Sequence, residues 1–342
     1  MFKKNEKFSL KFIGKGIRYK MQILNWENKT GVHCGSVAIQ NVINYYGVNY
    51  PEEMCFGLGA GLGFFYNKLS KSFPSEVIHL RAPDMEPNFF SKNNQVYKWL
   101  KESSPKEAEK KLKQSLDNLQ PVFLQTDLFY LKYYNSKIHF PGHVVVCVGY
   151  DDIHKKFILS DTNFKDLKEV SYKDLDLSRS SKAEPYPLQY NWFTIDSFVP
   201  FKNINSLIYE AIKLNSRNFL NGQNSLRGTS SVFSILDWVK NLENWSNLKD
   251  KSSAYRFAYQ IIARRGSKGG GFRCIYSDFL KIAEKKSSKI KNLGLFNLML
   301  SLATEWERLA YLLKELSLEY NHKLNKKVID LIRHIYSEEL KY

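Results

Sequence analysis

Cys34 occupies a position in the sequence where a thiol would be activated as a nucleophile. From residue 34 to residue 46, apolar side chains recur at the spacing of one helix face, and Gly47 follows them. This pattern predicts a helix that begins at Cys34. The positive end of a helix dipole favours the thiolate form of a cysteine, and the thiolate is the form that attacks a carbonyl.

A nucleophilic cysteine needs a base and a third group that orients this base, and His143 and Asp161 are the candidates. Residues 144–150 and 157–161 are two runs of β-branched and aromatic residues separated by a polar turn, which predicts a hairpin. His143 opens the first strand and Asp161 closes the second, so we expect the imidazole and the carboxylate to meet. Cysteine on an early helix, with histidine and aspartate on later strands, is the arrangement of papain-like cysteine enzymes.

Other residues compete for these roles. His33 is adjacent to the thiol and His139 is close to His143 in the sequence, so both are rival bases. Because neighbouring side chains at a helix start usually diverge, we interpret His33 as a loop-positioning or substrate-facing residue. Asn163 is a rival orienter, since papain itself uses an asparagine in this role.

Asn28 is the candidate for stabilising the oxyanion that an acyl transfer forms. It lies six positions before Cys34, where papain-like and bacteriocin-processing peptidases carry a glutamine for this purpose. Asparagine has the same carboxamide donor as glutamine on a shorter side chain. The alternative interpretation is that Asn28 caps a turn.

Several motifs together resemble a known family. The run of His33, Cys34, Gly35 and Ser36, the glycine-rich residues 56–66, and the residues 139–143 and 149–152 resemble the N-terminal domain of the butirosin biosynthesis protein H family. Residues 265–273 and 276–280 and Trp306 are similar to the uncharacterised helical domain that often follows it. The resemblance covers nearly the whole chain after residue 25.

The resemblance implies an acyltransferase with a papain-like core, acting in natural-product biosynthesis. Cys34 would take an acyl or aminoacyl group from a phosphopantetheine thioester on an acyl carrier protein and pass it to a small amine. His143 would move the protons, and Asp161 would orient its ring. No bound cofactor is expected, and the acyl donor, acceptor, pathway and oligomeric state stay open.

Two other functions fit the same residues. A papain-like peptidase or amidase would form the same acyl-enzyme and release it to water. A non-catalytic binding protein on the same fold would have no need of a thiolate, and fold analogy alone does not establish function.

The first glycine-rich run, residues 57–63, lacks the strand and helix context of a nucleotide-binding loop. We interpret it as a chain path that needs positive φ angles or a close backbone approach. The functional alternative places Phe64, Phe65 and Tyr66 along an acyl pocket beside Cys34.

The second glycine-rich run, residues 266–271, lies between Arg265 and Arg273. The simple interpretation is a loop between two helices. The functional alternative is that the two arginines contact a phosphate or a carboxylate, as on a phosphopantetheine arm or an acidic carrier protein.

The chain is strongly basic, with 51 Lys and Arg against 34 Asp and Glu, which gives a formal charge of +17. Residues 201–342 hold 24 of these cations against 13 anions. A general bias in amino-acid composition is one explanation for this excess of Lys and Arg. The functional alternative is that the protein binds an acidic partner. Nucleic acid is not the expected partner, because no zinc-finger spacing, zipper or RNP-type motif accompanies the charge.

Composition excludes several other classes of protein. The four cysteines form no C-x-x-C pair, and the seven histidines are dispersed, so neither a disulfide scaffold nor a metal site is expected. No stretch approaches the roughly 20 apolar residues of a membrane span. The basic start is not followed by the apolar segment of a signal peptide, which favours a cytoplasmic protein.

The elements that position these residues change character near residue 200. Residues 1–200 mix helix and strand patterns, with a helix at 105–119, a buried strand at 122–126 and turn composition at 177–191. Helical spacing dominates afterwards, at residues 204–220, 232–248, 254–264, 276–286, 293–317 and 325–340. We therefore predict an α+β, papain-like domain over 1–200 and an α-helical domain over 201–342.

Overall fold

The computed structural model of the chain describes residues 7–12, 18–69, 74–184, 186–225 and 228–342. Its strands are β1 (Lys7–Phe12), β2 (Arg18–Ile23), β3 (Leu62–Lys68), β4 (Glu76–Arg81), β5 (Val122–Thr126), β6 (His143–Asp151), β7 (Lys156–Ser160), β8 (Lys168–Ser171), β9 (Trp192–Thr194), β10 (Gln223–Ser225) and β11 (Gly228–Ser230). Its helices are α1 (Cys34–Tyr45), α2 (Glu52–Leu58), α3 (Met85–Ser91), α4 (Pro105–Asp117), α5 (Tyr172–Arg179), α6 (Ile204–Asn221), α7 (Phe233–Leu242), α8 (Lys251–Ala263), α9 (Arg273–Lys286), α10 (Ser288–Asn292), α11 (Leu295–Leu318) and α12 (His322–Glu339). The chain is thus a mixed α and β protein.

The chain forms two compact units that do not follow its linear order. The first unit combines Met1–Glu52 with Asn93–Pro200, and the second combines Glu53–Lys92 with Phe201–Tyr342. Residues 53–92, which the sequence analysis places in a first domain over 1–200, are therefore grouped with the C-terminal residues.

Backbone pairing explains why residues 53–92 belong to the second unit. The N–H of Leu62 in β3 donates to the side chain of Asn215 in α6 over 3.1 Å, and the same asparagine donates back to the Leu62 carbonyl over 3.0 Å. The N–H of Ser231 donates to the Phe64 carbonyl over 2.8 Å. Since buried backbone groups must find partners, these bonds tie β3 to the C-terminal part of the chain.

The first unit is built on an antiparallel sheet of seven strands. Its order is β1-β2-β6-β5-β9, with β7 paired to β6 and β8 paired to β7. Every residue of β5 and β6 is buried, which explains the unbroken apolar runs at residues 122–124 and 144–148. The three predicted strands are confirmed as β5, β6 and β7, and the predicted hairpin is confirmed by the pairing of β6 with β7.

The predicted helices of the first unit are confirmed as α1 and α4. Helix α1 packs against β6 through its buried face, which includes Val37 and Val42. Helix α4 begins with Pro105 after the capping hydroxyl of Ser104, a favourable order for a helix start. The segment 177–191 was predicted as turn, but α5 extends through Arg179 before the chain turns.

The second unit is mainly helical and also contains the hairpins β3–β4 and β10–β11. Its core includes the buried indoles of Trp238, Trp245 and Trp306, and α11 packs against α8, α9 and α12. Helices over all six predicted segments are confirmed, although residues 232–248 divide into α7 and a 3₁₀ turn at Trp245–Asn247. No helix in the described ranges is both long and apolar enough to cross a membrane.

The two glycine-rich runs serve the packing of the second unit. A Cβ at Gly57 would overlap the ring of Phe279, and a Cβ at Gly59 would lie 2.5 Å from the carbonyl oxygen of Met85. Close approach therefore explains the first run. Gly269 and Gly271 have positive φ angles in the loop between α8 and α9, as a loop between helices requires.

Candidate active site

Cys34 is the first residue of α1, as predicted. The helix is capped by His33, whose Nδ1 atom accepts a hydrogen bond of 3.2 Å from the N–H of Ser36. The N–H groups of Cys34 and Gly35 belong to the first turn, where a helix supplies no carbonyl acceptor. Cys34 as a residue is partly exposed, and it lies where these N–H groups and the helix dipole act.

His33 is buried and serves the loop-positioning role that the sequence analysis considered for it. Its imidazole lies 3.0 Å from the hydroxyl of Ser36 as well as capping the helix. Its backbone N–H donates to Glu52 over 2.7 Å. These contacts fix the residue that precedes the nucleophile.

Glu52 is a residue of this site that the sequence analysis missed. One carboxylate oxygen accepts from His33 N–H and from the Ser36 hydroxyl over 3.0 Å, and the other accepts from Val32 N–H over 2.9 Å. A Cβ at Gly31 would overlap this carboxylate, so the glycine permits the close approach. The loop before Cys34 is thus held by one buried side chain.

His143 and Asp161 are in direct contact, which confirms the predicted meeting of imidazole and carboxylate. The Nε2 atom of His143, at the start of β6, lies 2.9 Å from the Oδ1 atom of Asp161, just after β7. Both side chains are buried. Asn163, the rival orienter, instead donates to the hydroxyl of Tyr134 over 3.2 Å.

The charge balance around His143 favours its protonated form. Burial by itself would lower its pKa, but the charge and hydrogen bond of Asp161, with a further contribution from Cys34, raise that pKa to about 10. With Nε2 bonded to Asp161, Nδ1 is the ring nitrogen that could serve the thiol. Cys34, His143 and Asp161 are therefore linked in the order that a cysteine nucleophile requires.

Asp161 also accepts hydrogen bonds from two tyrosines that the sequence analysis missed. The hydroxyl of Tyr133 lies 2.7 Å from Oδ2, and the hydroxyl of Tyr134 lies 2.8 Å from Oδ1. Burial would raise the pKa of Asp161, but His143 and the two hydroxyls outweigh it and lower that pKa. In the sequence, only the adjacency of Tyr133 and Tyr134 could have indicated that their hydroxyls contact Asp161.

His139, the rival base, bonds to a different carboxylate. Its Nδ1 atom lies 2.6 Å from Oδ2 of Asp127, and its ring stacks on Phe129 with centroids 4.2 Å apart. Asp127 is fully buried and also accepts from the N–H of Phe140 over 2.8 Å. The pair therefore anchors the segment that leads to His143.

Asn28 uses its side chain within the protein. Its Nδ2 atom donates to the Phe164 carbonyl over 2.6 Å, and its Oδ1 atom accepts from the hydroxyl of Ser160. The amide thus joins the loop before α1 to the chain around the end of β7. The same Nδ2 atom also lies 3.4 Å from the Lys165 carbonyl, and the oxyanion role of Asn28 stays a prediction.

The aromatic residues suggested for an acyl pocket belong to the second unit. Phe64 is buried between Trp238 and Trp306, with ring centroids 5.7 Å away in each case. Phe65 stacks on His79, and the hydroxyl of Tyr66 bonds to Glu76. Core packing accounts for the burial of Phe64 and Phe65.

The two arginines beside the second glycine run also have internal contacts. Arg273 is fully buried and its Nε atom lies 2.8 Å from a carboxylate oxygen of Glu339. Arg265 lies 4.8 Å from the ring centroid of Phe257, and burial lowers its pKa to about 10. The ion pair gives Arg273 a structural role in the second unit.

The remaining cysteines do not share the surroundings of Cys34. Cys55 and Cys147 are fully buried, and burial raises the pKa of Cys147 to about 12. Cys274, in α9, is partly exposed, and burial raises its pKa as well. Within the described ranges, no group of three or more His, Cys, Asp or Glu side chains is arranged to hold a metal ion.

Comparison with known families divides the chain between residues 162 and 173. Residues 33–162 match the family described as butirosin biosynthesis protein H, N-terminal, and residues 173–342 match a domain of unknown function, DUF4872. The first match spans Cys34, His143 and Asp161. No curated protein matches the chain.

The fold and the site define a mixed α and β protein that links a helix-terminal cysteine to a histidine and an aspartate. Residues 33–162 match the butirosin biosynthesis protein H N-terminal family, and the DUF4872 match follows them in the chain. The name of this family refers to the biosynthesis of the antibiotic butirosin.

Proposed function

We propose that the chain is a cysteine-dependent acyltransferase of antibiotic or related natural-product biosynthesis, with a papain-like catalytic core. The match of residues 33–162 to the butirosin biosynthesis protein H family supports an enzyme of antibiotic biosynthesis. The observation that carries the proposal is the position of His143, which bonds to Asp161 through Nε2 over 2.9 Å and is close enough to Cys34 for the two side chains to interact electrostatically. A merely structural cysteine at a helix start has no need of this partner.

In the first half-reaction, the thiolate of Cys34 attacks the carbonyl carbon of an acyl thioester. The bond between that carbon and the phosphopantetheine sulfur breaks, and the departing sulfur takes the proton of the His143 imidazolium. The N–H groups of Cys34 and Gly35 stabilise the transient oxyanion, since they point out of the helix N-terminus. The products are an acyl-enzyme and a free thiol.

In the second half-reaction, an amine attacks the acyl carbon on Cys34. Neutral His143 takes the proton of the amine nitrogen, the carbon–sulfur bond breaks, and Cys34 departs as a thiolate. The thiolate and imidazolium are thereby restored, and the product is an amide. Asp161 keeps Nε2 occupied throughout, which holds the Nδ1 atom toward the sulfur.

The proposed acyl donor is a phosphopantetheine thioester on an acidic acyl carrier protein, and the acceptor is a small amine. The formal charge of +17 supports an acidic partner, because opposite net charges accelerate encounter. The thioester is a substrate of the reaction, and no resident cofactor is proposed.

Thiol alkylation tests whether Cys34 is activated. The native chain is treated with iodoacetamide from pH 4 to pH 9, and labelling of each cysteine is measured by peptide mass spectrometry. We expect Cys34 to react well below about pH 7, whereas an ordinary thiol titrates near about 8.5. His143→Ala is expected to abolish the low-pH reaction, and Cys274 provides an internal reference.

Acyl transfer is then tested with an acyl-pantetheine thioester and with an acylated carrier protein. We expect an acyl adduct on Cys34 that is absent in Cys34→Ala and unaffected in Cys274→Ala. Amide formation on addition of an amine supports the transferase, whereas a free acid at the same rate with or without amine identifies a hydrolase. An inert Cys34, with neither fast alkylation nor adduct, would identify a binding protein.

A further inference from the structure

The carboxylate of Asp161 has more donors than an orienting aspartate requires. His143 Nε2 and the Tyr134 hydroxyl both approach Oδ1, at 2.9 and 2.8 Å, and the Tyr133 hydroxyl approaches Oδ2 at 2.7 Å. Both tyrosines lie in the 3₁₀ turn Lys132–Tyr134, so a single turn delivers adjacent hydroxyls to opposite oxygens of one carboxylate.

Aromatic packing fixes the two hydroxyls in place. Each tyrosine ring meets Phe164 edge-on, with centroids 5.2 Å away for Tyr133 and 5.1 Å for Tyr134. The Tyr134 ring also meets the His143 ring edge-on at 5.5 Å, and its hydroxyl lies 3.4 Å from Nε2. The rings can therefore stay in place when a hydroxyl is removed.

We propose that Tyr133 and Tyr134 are positioning residues that clamp Asp161 and share its negative charge, and thereby limit how strongly Asp161 holds the His143 proton. This inference rests on the proposed function, since it concerns the base of that reaction. A hydrogen bond to an ionised group stabilises the charge and disperses it over the donor. His143 must release its proton in each catalytic cycle, so a carboxylate that holds the proton too firmly would slow the reaction.

The charged and titratable surroundings of His143 are few. Cys34 faces it from α1, Asp161 from the end of β7 and Tyr134 from the 3₁₀ turn, while Tyr133 faces Asp161. Burial and the neighbouring Asp161 raise the pKa of both tyrosines, so the hydroxyls stay protonated and donate across the working range. They are thus constant donors to Asp161.

The test is the titration of the His143 ring by NMR in Tyr133→Phe, in Tyr134→Phe and in the double variant. The resonances of His143 are assigned by their absence in His143→Gln. Removing the hydroxyls leaves more negative charge facing the imidazolium, so its midpoint should rise, by on the order of one pH unit in the double variant. Tyr134→Phe should shift it more than Tyr133→Phe, because the Tyr134 hydroxyl shares Oδ1 with the imidazole.

Tyr172→Phe is the matched control. Its hydroxyl also bonds to a carboxylate, Asp152, over 2.9 Å, but away from His143. An unchanged His143 midpoint in the three variants, or a shift equal to that of Tyr172→Phe, would overturn the clamp. Because each single variant is titrated separately, a folding defect in the double variant still leaves two measurements.

Alkylation of Cys34 in the same proteins separates this inference from the proposed function. A wild-type Cys34 that reacts only as an ordinary thiol would refute the nucleophile, and with it the clamp. A reactive wild-type Cys34 with an unmoved His143 midpoint in the variants would refute the clamp alone.

Discussion

The Nε2 atom of His143 lies 2.9 Å from the Oδ1 atom of Asp161, although eighteen positions separate the two residues in the sequence. The antiparallel pairing of β6 with β7 produces this contact, because it returns the chain to the level at which β6 begins. Both groups are buried and oppositely charged when ionised, so the contact affects stability as well as reactivity.

The first prediction concerns the dependence of stability on pH. The pKa of His143 is raised to about 10 from an ordinary value of about 6.5, so its contribution is fully present below about pH 6.5 and is lost as the pH rises through about 10. The pKa of Asp161 is lowered, so its contribution is present above its ordinary value and is lost as the pH falls through the lowered one.

Urea unfolding between pH 6 and pH 10, followed by circular dichroism, measures the first of these effects. The wild type should lose on the order of 4 kcal/mol more unfolding free energy across this range than His143→Gln, which has no imidazole to titrate. Parallel pH profiles for the two proteins would show that the His143 proton does not stabilise the fold.

The second prediction concerns Glu52. Glu52→Ala leaves the N–H groups of Val32 and His33 without their carboxylate, so the unfolding free energy should fall by about 2–4 kcal/mol. Low-pH alkylation of Cys34 should fall as well, because the loop before the thiol is released. Glu169→Ala, which removes an exposed ion pair with Lys156, should cost less than about 1 kcal/mol. If Glu52→Ala is destabilised but its Cys34 is alkylated as in the wild type, then Glu52 stabilises the fold and does not position the thiol.

The third prediction concerns Asn28 and distinguishes its two interpretations. Its bonds to Phe164 and Ser160 predict that Asn28→Ala lowers the unfolding free energy by about 1–3 kcal/mol. Loss of an oxyanion donor would instead slow acylation by about a hundredfold or more without loss of stability. Thermal unfolding and single-turnover acylation of the same preparation decide between a structural tie and an oxyanion donor.

The fourth prediction concerns Arg273 in the second unit. Arg273→Met leaves Glu339 as an uncompensated buried charge, so it should lower the unfolding free energy by about 3–5 kcal/mol. Adding Glu339→Leu should restore much of this loss, since the pair is then replaced by apolar side chains. A stable single variant that has lost affinity for a phosphopantetheine thioester would assign Arg273 to substrate binding instead.

Local sequence patterns were sufficient to predict the helix and the strands that carry the candidate nucleophile and base. The apolar spacing after residue 34 predicts α1 and its start at Cys34, and the paired apolar runs predict the β6–β7 hairpin. The short elements α2 and β3 were not predicted, because their glycines and aromatics follow no regular period, and β4 was not predicted either. Their buried faces are set by packing within the second unit.

The sequence by itself determined the type and order of the candidate reactive residues, since Cys34, His143 and Asp161 each stand at the end of an element whose pattern is local. Only the tertiary structure decided which side chains surround them. Glu52 and Tyr134 are separated from the residues that they contact by segments with no regular apolar period. Their hydrogen bonds therefore depend on how the folded chain brings these distant positions back together. The grouping of residues 53–92 with the C-terminal helices has the same cause, because buried backbone groups of β3 take their partners from distant residues.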